Sequence, residues 1–570
     1  MREKEHNPIS AFRLGVVTTL LLGSAAVLIG RAFDLQVLRK DFLQGQGDAR
    51  ALRDEPVMAH RGMITDREGE PLAISTPVDS VWIQPRTFIS AQSQWPKLAK
   101  QLGLDLSDMR RLVLQKQNKE FVFLKRQISP PWAEKVMALE IPGVSLLREY
   151  RRYYPMGEVA AHVVGFTNVD DRGQEGLELA YENWLRGTPG IQRVIKDRLG
   201  RVIQHVELIK KPQPGKNLTL SIDRRLQYLA YRELKKAVFK DKAKAGSVVI
   251  LDVHTGEVLA MVNQPSYNPN SRKALKASNL RNRAVTDTFE PGSTIKPFTV
   301  AAGFQSGMFT PQSMINTSPG YMKVGSSMVH DARNYGLIDI KTLLQKSSNV
   351  GASKIALAIP ETALQHMQEA LGFGETTGSG FPGEAAGFIN MSPHWRPIEQ
   401  ATMAFGYGLS VTALQLARAY AVLANGGYLK PIYFVRQRHA VEGQRVMKTK
   451  TATTIRHMLE SVVSHEGTAF KASVEGYRVA GKTGTVKKLV NGQYSNDRYL
   501  ALFAGMAPAA APRFVIVVTI DEPQGRAYYG GLVAAPVFSR VMSGALRLFD
   551  IAPDKTTPER WRMAVAKAAL

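Results

Sequence analysis

Three short runs hold the residue types of covalent acyl transfer: Ser293-Thr294-Ile295-Lys296, then Ser347-Ser348-Asn349, then Lys482-Thr483-Gly484-Thr485. A serine hydroxyl is a weak nucleophile at neutral pH and needs a base within hydrogen-bond reach. Lys296, three positions after Ser293, supplies one if both lie on one face of a helix that opens at Ser293. Glu290-Pro291-Gly292 marks such a start, and Pro297 fits only a first helical turn, where its missing N–H is not needed. The amino end of that helix would turn free N–H groups and the positive end of its dipole toward a developing oxyanion. A lysine serves as a base only when its pKa is lowered, by burial or by a neighbouring cation such as Lys482.

Singly, each run carries little information. Ser-x-x-Lys is unremarkable in a chain of 570 residues, and Ser266-Tyr267-Asn268 also matches Ser-x-Asn, whereas Lys-Thr-Gly occurs once. A helix-capping serine, a turn and a glycine-broken strand edge would explain them one by one. Their order, each at the junction of two elements, favours one shared site.

The elements that must position these runs surround them. Residues 218–222 read as a strand, 225–238 as an amphipathic helix, and 246–251 with 257–262 as a hairpin turning through His254-Thr255-Gly256, where Gly supplies positive φ. A second strand pair, 499–507 and 513–520, flanks the turn from Pro508 to Pro512. Between the pairs, residues 295–304, 340–344, 350–359 and 413–424 carry helical patterns. Strands at both ends with helices between predict an α+β domain, an antiparallel sheet flanked by helices. Upstream, residues 41 to about 220 are charged and mixed, with short strand-like runs such as Val81-Trp82-Ile83. The break Lys211-Pro212-Gln213-Pro214-Gly215 sets a domain boundary there.

The length requires at least two domains, and 44% hydrophobic with 22% charged residues is the composition of a folded globular protein. A formal charge of +25 suits anionic polymers or membrane surfaces, but no nucleic-acid motif accompanies it, so nucleic acid is not expected as a partner. The absence of cysteine excludes disulfides, thiolate metal sites and a cysteine nucleophile. No His/Asp/Glu cluster suggests a metal, and no cofactor is expected.

Residues 14–30 form an uncharged, mostly apolar run between Arg13 and Arg31. As a helix it spans about 25 Å, and flanking Phe12, Ala32 and Phe33 extend it toward the ~30 Å of a bilayer core while the arginines snorkel. A cleaved signal would use Gly23-Ser24-Ala25-Ala26, but apolar Val27-Leu28-Ile29 follows where polar sequence should begin, so an uncleaved anchor is the better reading. Basic residues on the two sides nearly balance, so charge alone scarcely sets the orientation. The dozen residues ahead of the run are too few for a domain.

The resemblance that these motifs carry extends along most of the chain. Arg61-Gly62-Met63-Ile64-Thr65-Asp66-Arg67-Glu68-Gly69, then Arg152-Tyr153-Tyr154-Pro155 with Gly157 and Ala161-His162, then Gly173-Gln174-Glu175-Gly176-Leu177-Glu178 are similar to the boxes of class B penicillin-binding proteins. Pro265-Ser266-Tyr267-Asn268-Pro269-Asn270 and Gly406-Tyr407-Gly408 are likewise family-like. With a compact amino-terminal module and no repeats after the catalytic part, the chain most resembles the division-specific, septal D,D-transpeptidases of Gram-negative bacteria, the penicillin-binding protein 3 type.

That resemblance implies a penicillin-binding transpeptidase domain of the serine β-lactamase-like fold at 216–550, followed by a tail at 551–570. Ahead of it come a cytoplasmic tail at 1–12, a single membrane helix at 13–33 and a smaller, elongated α+β pedestal, dimerisation-like, at 41–215. It implies Ser293 as nucleophile, Lys296 as its base, Ser347 as proton donor to the departing D-Ala, and Asn349 holding the peptide amide. Lys482 would supply a positive field, and Thr483, Gly484, Thr485 and Tyr407 would bind substrate, the two threonines through its terminal carboxylate. Backbone N–H groups of Ser293 and Thr485 would form the oxyanion hole. The implied partners are peptidoglycan stem pentapeptides, β-lactams and division proteins that include a septal glycosyltransferase. The implied location is the bacterial inner membrane, single-pass, with the catalytic domain in the periplasm.

Rival readings keep the serine and change its fate. A D,D-carboxypeptidase or a β-lactamase would hydrolyse the ester, but the Glu-x-x-Leu-Asn that serves class A β-lactamases does not occur between Ser347 and Lys482. A β-lactam sensor would need signalling segments, and a bifunctional enzyme a glycosyltransferase motif. A non-catalytic division scaffold is the remaining alternative. His162 reads as a satisfied structural histidine, and the charged residues of the Arg61–Arg67 box as organisers of an interdomain joint.

Overall fold

The computed structural model describes residues 11–43, 52–196, 202–271, 276–392, 394–437, 439 and 441–555; the first ten residues and the tail beyond 555 lie outside them. Among the described residues one helix, α1 (Ala11–Phe33), is long and apolar enough to cross a membrane. It is exposed along its length, has a mean hydropathy of 1.9 with its continuation to Leu38, and ends where Asp34 pairs with Arg31 at 2.6 Å and Arg39 at 3.1 Å.

The chain forms two compact units, and it passes between them more than once. The smaller comprises residues 1–60, 77–150 and 187–214. Its core gathers Val81, Ile83, Phe88, Trp95, Leu98, Leu102, Val113 and Val122, where helices Trp95–Leu102 and Leu106–Gln115 cover strand residues. Asp105 caps the second helix by accepting from Ser107 N and Asp108 N. The unit also holds a three-stranded antiparallel sheet in the order Leu52–Val57, Gly190–Lys196, Val202–Lys210.

The larger unit comprises residues 61–76, 151–186 and 215 onward, so the two are not divided by a single cut near Gly215. The first two segments are bound to each other by a buried ion cluster. Glu178, fully buried, accepts from Arg61 Nε at 2.8 Å and from Arg152 Nε at 2.6 Å, and Arg61 also reaches Glu182 at 2.6 Å. Arg152 uses its remaining donors on Ser75 Oγ and Gly62 O. The charged boxes thus organise the interior of this unit. His162 is buried there with Nε2 2.8 Å from the Asn279 carbonyl, and burial pushes its pKa down to about 4, so the ring is neutral.

The main sheet is antiparallel and matches the α+β expectation. Its strands are β1 (Ala245–Asp252), β2 (Val258–Gln264), β3 (Ala480–Val490), β4 (Gln493–Ala507) and β5 (Phe514–Asp521), in the spatial order β2-β1-β5-β4-β3. Every residue of β1 is buried, so both faces of the sheet are covered, and the strand lacks the polar alternation of a half-exposed one. Helices α2 (Arg224–Lys240) and α7 (Ala535–Leu548) pack together on the sheet. Helices α3 (Lys296–Gln305), α4 (Asn349–Ala358), α5 (Ala413–Ala424) and α6 (Thr449–Glu460) build the remainder, with α5 against β1, β4 and β5. The β1–β2 turn uses Gly256 at φ +76°, where a Cβ would lie 2.2 Å from the Pro431 carbonyl.

Candidate active site

The Ser293 segment is a tight turn, Gly292–Ile295, leading straight into α3. Gly292 has φ +53°, and a Cβ there would sit 2.5 Å from Val486 Cγ2 on β3. Gly406, at φ +91°, approaches so closely that its Cβ would lie 2.2 Å from the Gly292 carbonyl, and Gly292 N donates to Gly406 O. Two glycines therefore let the Gly406 backbone and the Val486 side chain close on the residue before Ser293. From below, the buried Tyr420 hydroxyl donates to Thr294 O at 2.8 Å and Thr299 Oγ1 donates to Ala404 O at 2.8 Å. Pro297 stands in the first turn of α3, where the sequence required it.

Lys296, fully buried, donates to Ser347 O at 2.6 Å, Asn349 Oδ1 at 2.7 Å and Ser347 Oγ at 3.1 Å. Lys482, also fully buried, reaches the same Ser347 Oγ from β3 at 2.9 Å. The Ser347 hydroxyl thus bridges two lysine nitrogens. Burial, then the neighbouring Lys482 cation, push the Lys296 pKa well below the ordinary lysine range, and Asp331 pulls it partly back. Burial lowers Lys482 to about 7. Two ammonium groups sharing one hydroxyl in a dry pocket repel, so a neutral amine on one of them is the low-energy state.

Ser347 adopts the left-handed conformation, φ +61° and ψ 44°, at the end of helix Ile340–Lys346, and Ser348 caps α4 by accepting from Gly351 N at 2.8 Å. This abrupt change of direction brings Ser347 and Asn349 to the lysines. Asp331 holds it: Ser348 Oγ donates to Oδ2 at 2.6 Å, Val350 N to Oδ1 at 2.9 Å, and Asn349 N to the same Oδ1. Asn349 Nδ2 donates to His330 O at 3.0 Å, which turns its Oδ1 toward Lys296.

β3 is an edge strand, with Lys482 opposite Ala504, Thr483 opposite Phe503 and Thr485 opposite Ala501. Alternate backbone groups of an edge strand stay out of the ladder and are available to an added extended peptide. Thr483 Oγ1 lies 2.9 Å from Thr468 Oγ1, and Thr485 Oγ1 accepts from Gly530 N at 3.0 Å. A Cβ on Gly530 would lie 2.4 Å from the Gly484 carbonyl, so this contact needs glycine. The Tyr407 ring meets Tyr494 edge-on at 5.4 Å between centroids.

The sequence-predicted set is therefore brought together as one network at Lys296, Ser347, Asn349 and Lys482, with the Gly292–Ile295 turn beside β3. The Ser293 hydroxyl, half-buried, makes no hydrogen bond to Lys296 or Ser347 among the described residues. Sequence reasoning passed over Asp331, Tyr420, Thr468 and Gly530, and read Glu290 only as part of the helix start. Glu290 accepts from Gly408 N at 2.9 Å and Tyr494 OH at 3.0 Å, tying the Ser293 segment to the Tyr407 loop and to β4. Only its place in Glu-Pro-Gly-Ser could have drawn attention; Asp331 sits at no motif spacing.

Comparison with known proteins agrees with this arrangement. Residues 246–543 match the model of the penicillin binding protein transpeptidase domain, and residues 56–220 that of the penicillin-binding protein dimerisation domain. The chain is 44% identical over 562 residues to the peptidoglycan D,D-transpeptidase FtsI of Escherichia coli K12, covering 98% of this chain and 95% of that one. It is 42% identical over 548 residues to the probable peptidoglycan D,D-transpeptidase PenA of Neisseria gonorrhoeae, covering 95% and 94% respectively. The solved apo transpeptidase domain of Burkholderia pseudomallei penicillin-binding protein 3 superposes with a TM-score of 0.55 at 42% identity, over 59% of this chain and 98% of that one. The chain belongs to the penicillin-binding protein transpeptidases, as a member that carries the dimerisation domain ahead of the catalytic one.

Proposed function

We propose that the protein is a membrane-anchored peptidoglycan D,D-transpeptidase that crosslinks stem peptides during septal wall synthesis and is acylated by β-lactams. The observation that carries this reading is the buried Lys296–Ser347–Lys482 relay, with Asn349 Oδ1 on the first lysine, beside an edge strand. Ser293 Oγ attacks the carbonyl of the penultimate D-Ala, and its proton passes to the neutral Lys296 amine. The new Oγ–C bond gives a tetrahedral oxyanion received by the backbone N–H groups of Ser293 and Thr485. The C–N bond to the terminal D-Ala then breaks, and the proton reaches the leaving amine through Ser347. An amine of a second stem attacks the ester, forming the crosslink and freeing Ser293.

Asn349 orients the peptide amide, Thr483 and Thr485 take the substrate carboxylate in the field of Lys482, and Gly484 admits the substrate backbone next to β3. Tyr407 and its Tyr494 neighbour wall the cleft. Helix α1, long and apolar enough to span, supports anchorage in the inner membrane, and a wall-building role requires the catalytic unit on the periplasmic side. Division proteins, among them a glycosyltransferase that supplies the glycan strand, complete the assembly. No cofactor or metal takes part in this scheme.

Intact-mass spectrometry of the full-length protein with benzylpenicillin, adduct mapping, and assay with donor and acceptor stem peptides test the proposal. A persistent adduct on Ser293 with crosslinked product is expected. Rapid drug turnover would identify a hydrolase instead, and absence of any adduct a scaffold.

A further inference from the structure

We propose that the larger unit carries a second ligand site: a cavity of about 420 Å³ behind the acyl-transfer centre that takes an uncharged small molecule with an aromatic or branched-alkyl body and communicates with Ser293 through Val486. Its wall is apolar, formed chiefly by Phe289, Phe388, Leu409, Val486, Leu489 and Leu500. None of Ser293, Lys296, Ser347, Asn349 or Lys482 lines it. Protein interiors are close-packed and keep few voids, whereas a concave apolar space of this volume falls in the range of small-molecule sites.

Charge decides the ligand class. The charges at the rim are paired or solvated: Arg283 pairs with Asp287 at 2.9 Å, Lys488 with Asp521 at 2.7 Å, and the partly exposed Lys487 Nζ donates to Asn496 at 2.9 Å, while the buried Nε of Arg283, without a hydrogen-bond partner among the described residues, is left for a neutral acceptor on the ligand. Glu290 accepts from Gly408 N and Tyr494 OH. A charged ligand would bring its charge beside an Arg283–Asp287 pair that is already neutralised, or enter apolar space unpaired, at a large desolvation cost. An uncharged ligand gains by covering apolar wall alone.

Coupling follows from shared walls. Val486 lines the cavity on one side and on the other presses on Gly292, leaving no room for a Cβ. Val486, Leu500 and Leu502 form one cluster with Phe289 and Tyr407. Occupancy therefore acts on the backbone on which Ser293 stands. This coupling rests on the acyl-transfer reading of Ser293; the cavity as a ligand site does not.

The test uses 3-trifluoromethyl-3-phenyldiazirine, an uncharged aryl photolabel, on full-length protein in lipid nanodiscs, with adducts mapped by peptide mass spectrometry. Adducts are expected within residues 283–290, 408–413 and 486–489. They should disappear in Ser410→Phe, which fills the cavity, and in Leu489→Arg, which charges its exposed edge; Leu489→Arg should keep its benzylpenicillin acylation rate without the label, whereas Ser410→Phe should reproduce the rate of the ligand-filled native protein. Saturating unirradiated label should change the native acylation rate by about twofold or more, and leave both variants unaffected. Labelling confined to residues 11–33, cavity adducts undiminished in both variants, or an acylation rate within a factor of about two would overturn the proposal. If native protein shows no acylation at all, the acyl-transfer reading fails and the labelling decides the cavity by itself.

Discussion

Asp331 touches no substrate in the proposed reaction, yet it fixes three consecutive residues, Ser348, Asn349 and Val350, and with them the two groups that hold Lys296. Asp331→Asn keeps the shape and removes the charge. Hydrogen bonds to a charged group contribute about 1.5–3 kcal/mol, so benzylpenicillin acylation should slow by roughly 10- to 100-fold. Because the Asp331 carboxylate raises the Lys296 pKa, its loss should also move the acid limb of the pH–rate profile to lower pH. An unmoved limb would mean that Asp331 acts through shape alone. Lys482 gives a second, opposite signature. Its pKa is about 7 in the folded protein and near the ordinary 10.5 in the unfolded chain, so between these values the unfolded chain binds more protons. The Lys482 contribution to stability should accordingly rise from about pH 7 toward 10.5, and urea midpoints of Lys482→Met should rise less steeply over that window, keeping only the part due to Lys296.

At the scale of elements, the site depends on how closely β3, the Ser293 turn and the Tyr407 loop approach. Gly292→Ala puts a methyl 2.5 Å from Val486 Cγ2 at φ +53°. It should cost on the order of 1–3 kcal/mol and most of the acylation rate, and Val486→Ala in the same chain should restore part of both. Absence of rescue would place the strain in the backbone and not in that contact. The same proximity explains what the sequence could and could not convey. Hairpins around residues 246–262 and 499–520, and helix Ala413–Ala424, were legible because alternation, turn glycine and helical period are local properties. β3 was not read as a full strand, since Lys482-Thr483-Gly484 is poor in β-formers and its pairing with β4 is a tertiary matter. Ser293, Lys296, Ser347, Asn349 and Lys482 were legible by motif. Asp331 and Thr468 were not, because each serves the site through side-chain hydrogen bonds made across the fold, which leave no local pattern in the sequence.

Across the whole molecule, Glu178 joins segments that are far apart in the chain. Its replacement by alanine leaves the Arg61 and Arg152 guanidinium groups, both buried, without their shared carboxylate. Breaking a buried ion cluster in this way costs about 3–5 kcal/mol, so urea denaturation of Glu178→Ala should show a lowered midpoint for the larger unit. Glu178→Gln, which still accepts hydrogen bonds, should lose less. A normal midpoint in the alanine variant would mean that Glu182 and backbone carbonyls suffice to hold both arginines.

The positions of Arg61, Arg152 and Glu178 also set an order of events during synthesis and export. All three precede residue 215, while the sheet that carries Lys482 begins at Ala245 and closes only with β5. As the chain emerges amino end first, the clasp can shut around the completed 77–150 segment before any strand of the main sheet exists. The catalytic strands then arrive on a platform already cross-braced, and the long loop between Arg61 and Glu178 has been closed in advance of the β-pairing that would otherwise have to bear that entropy.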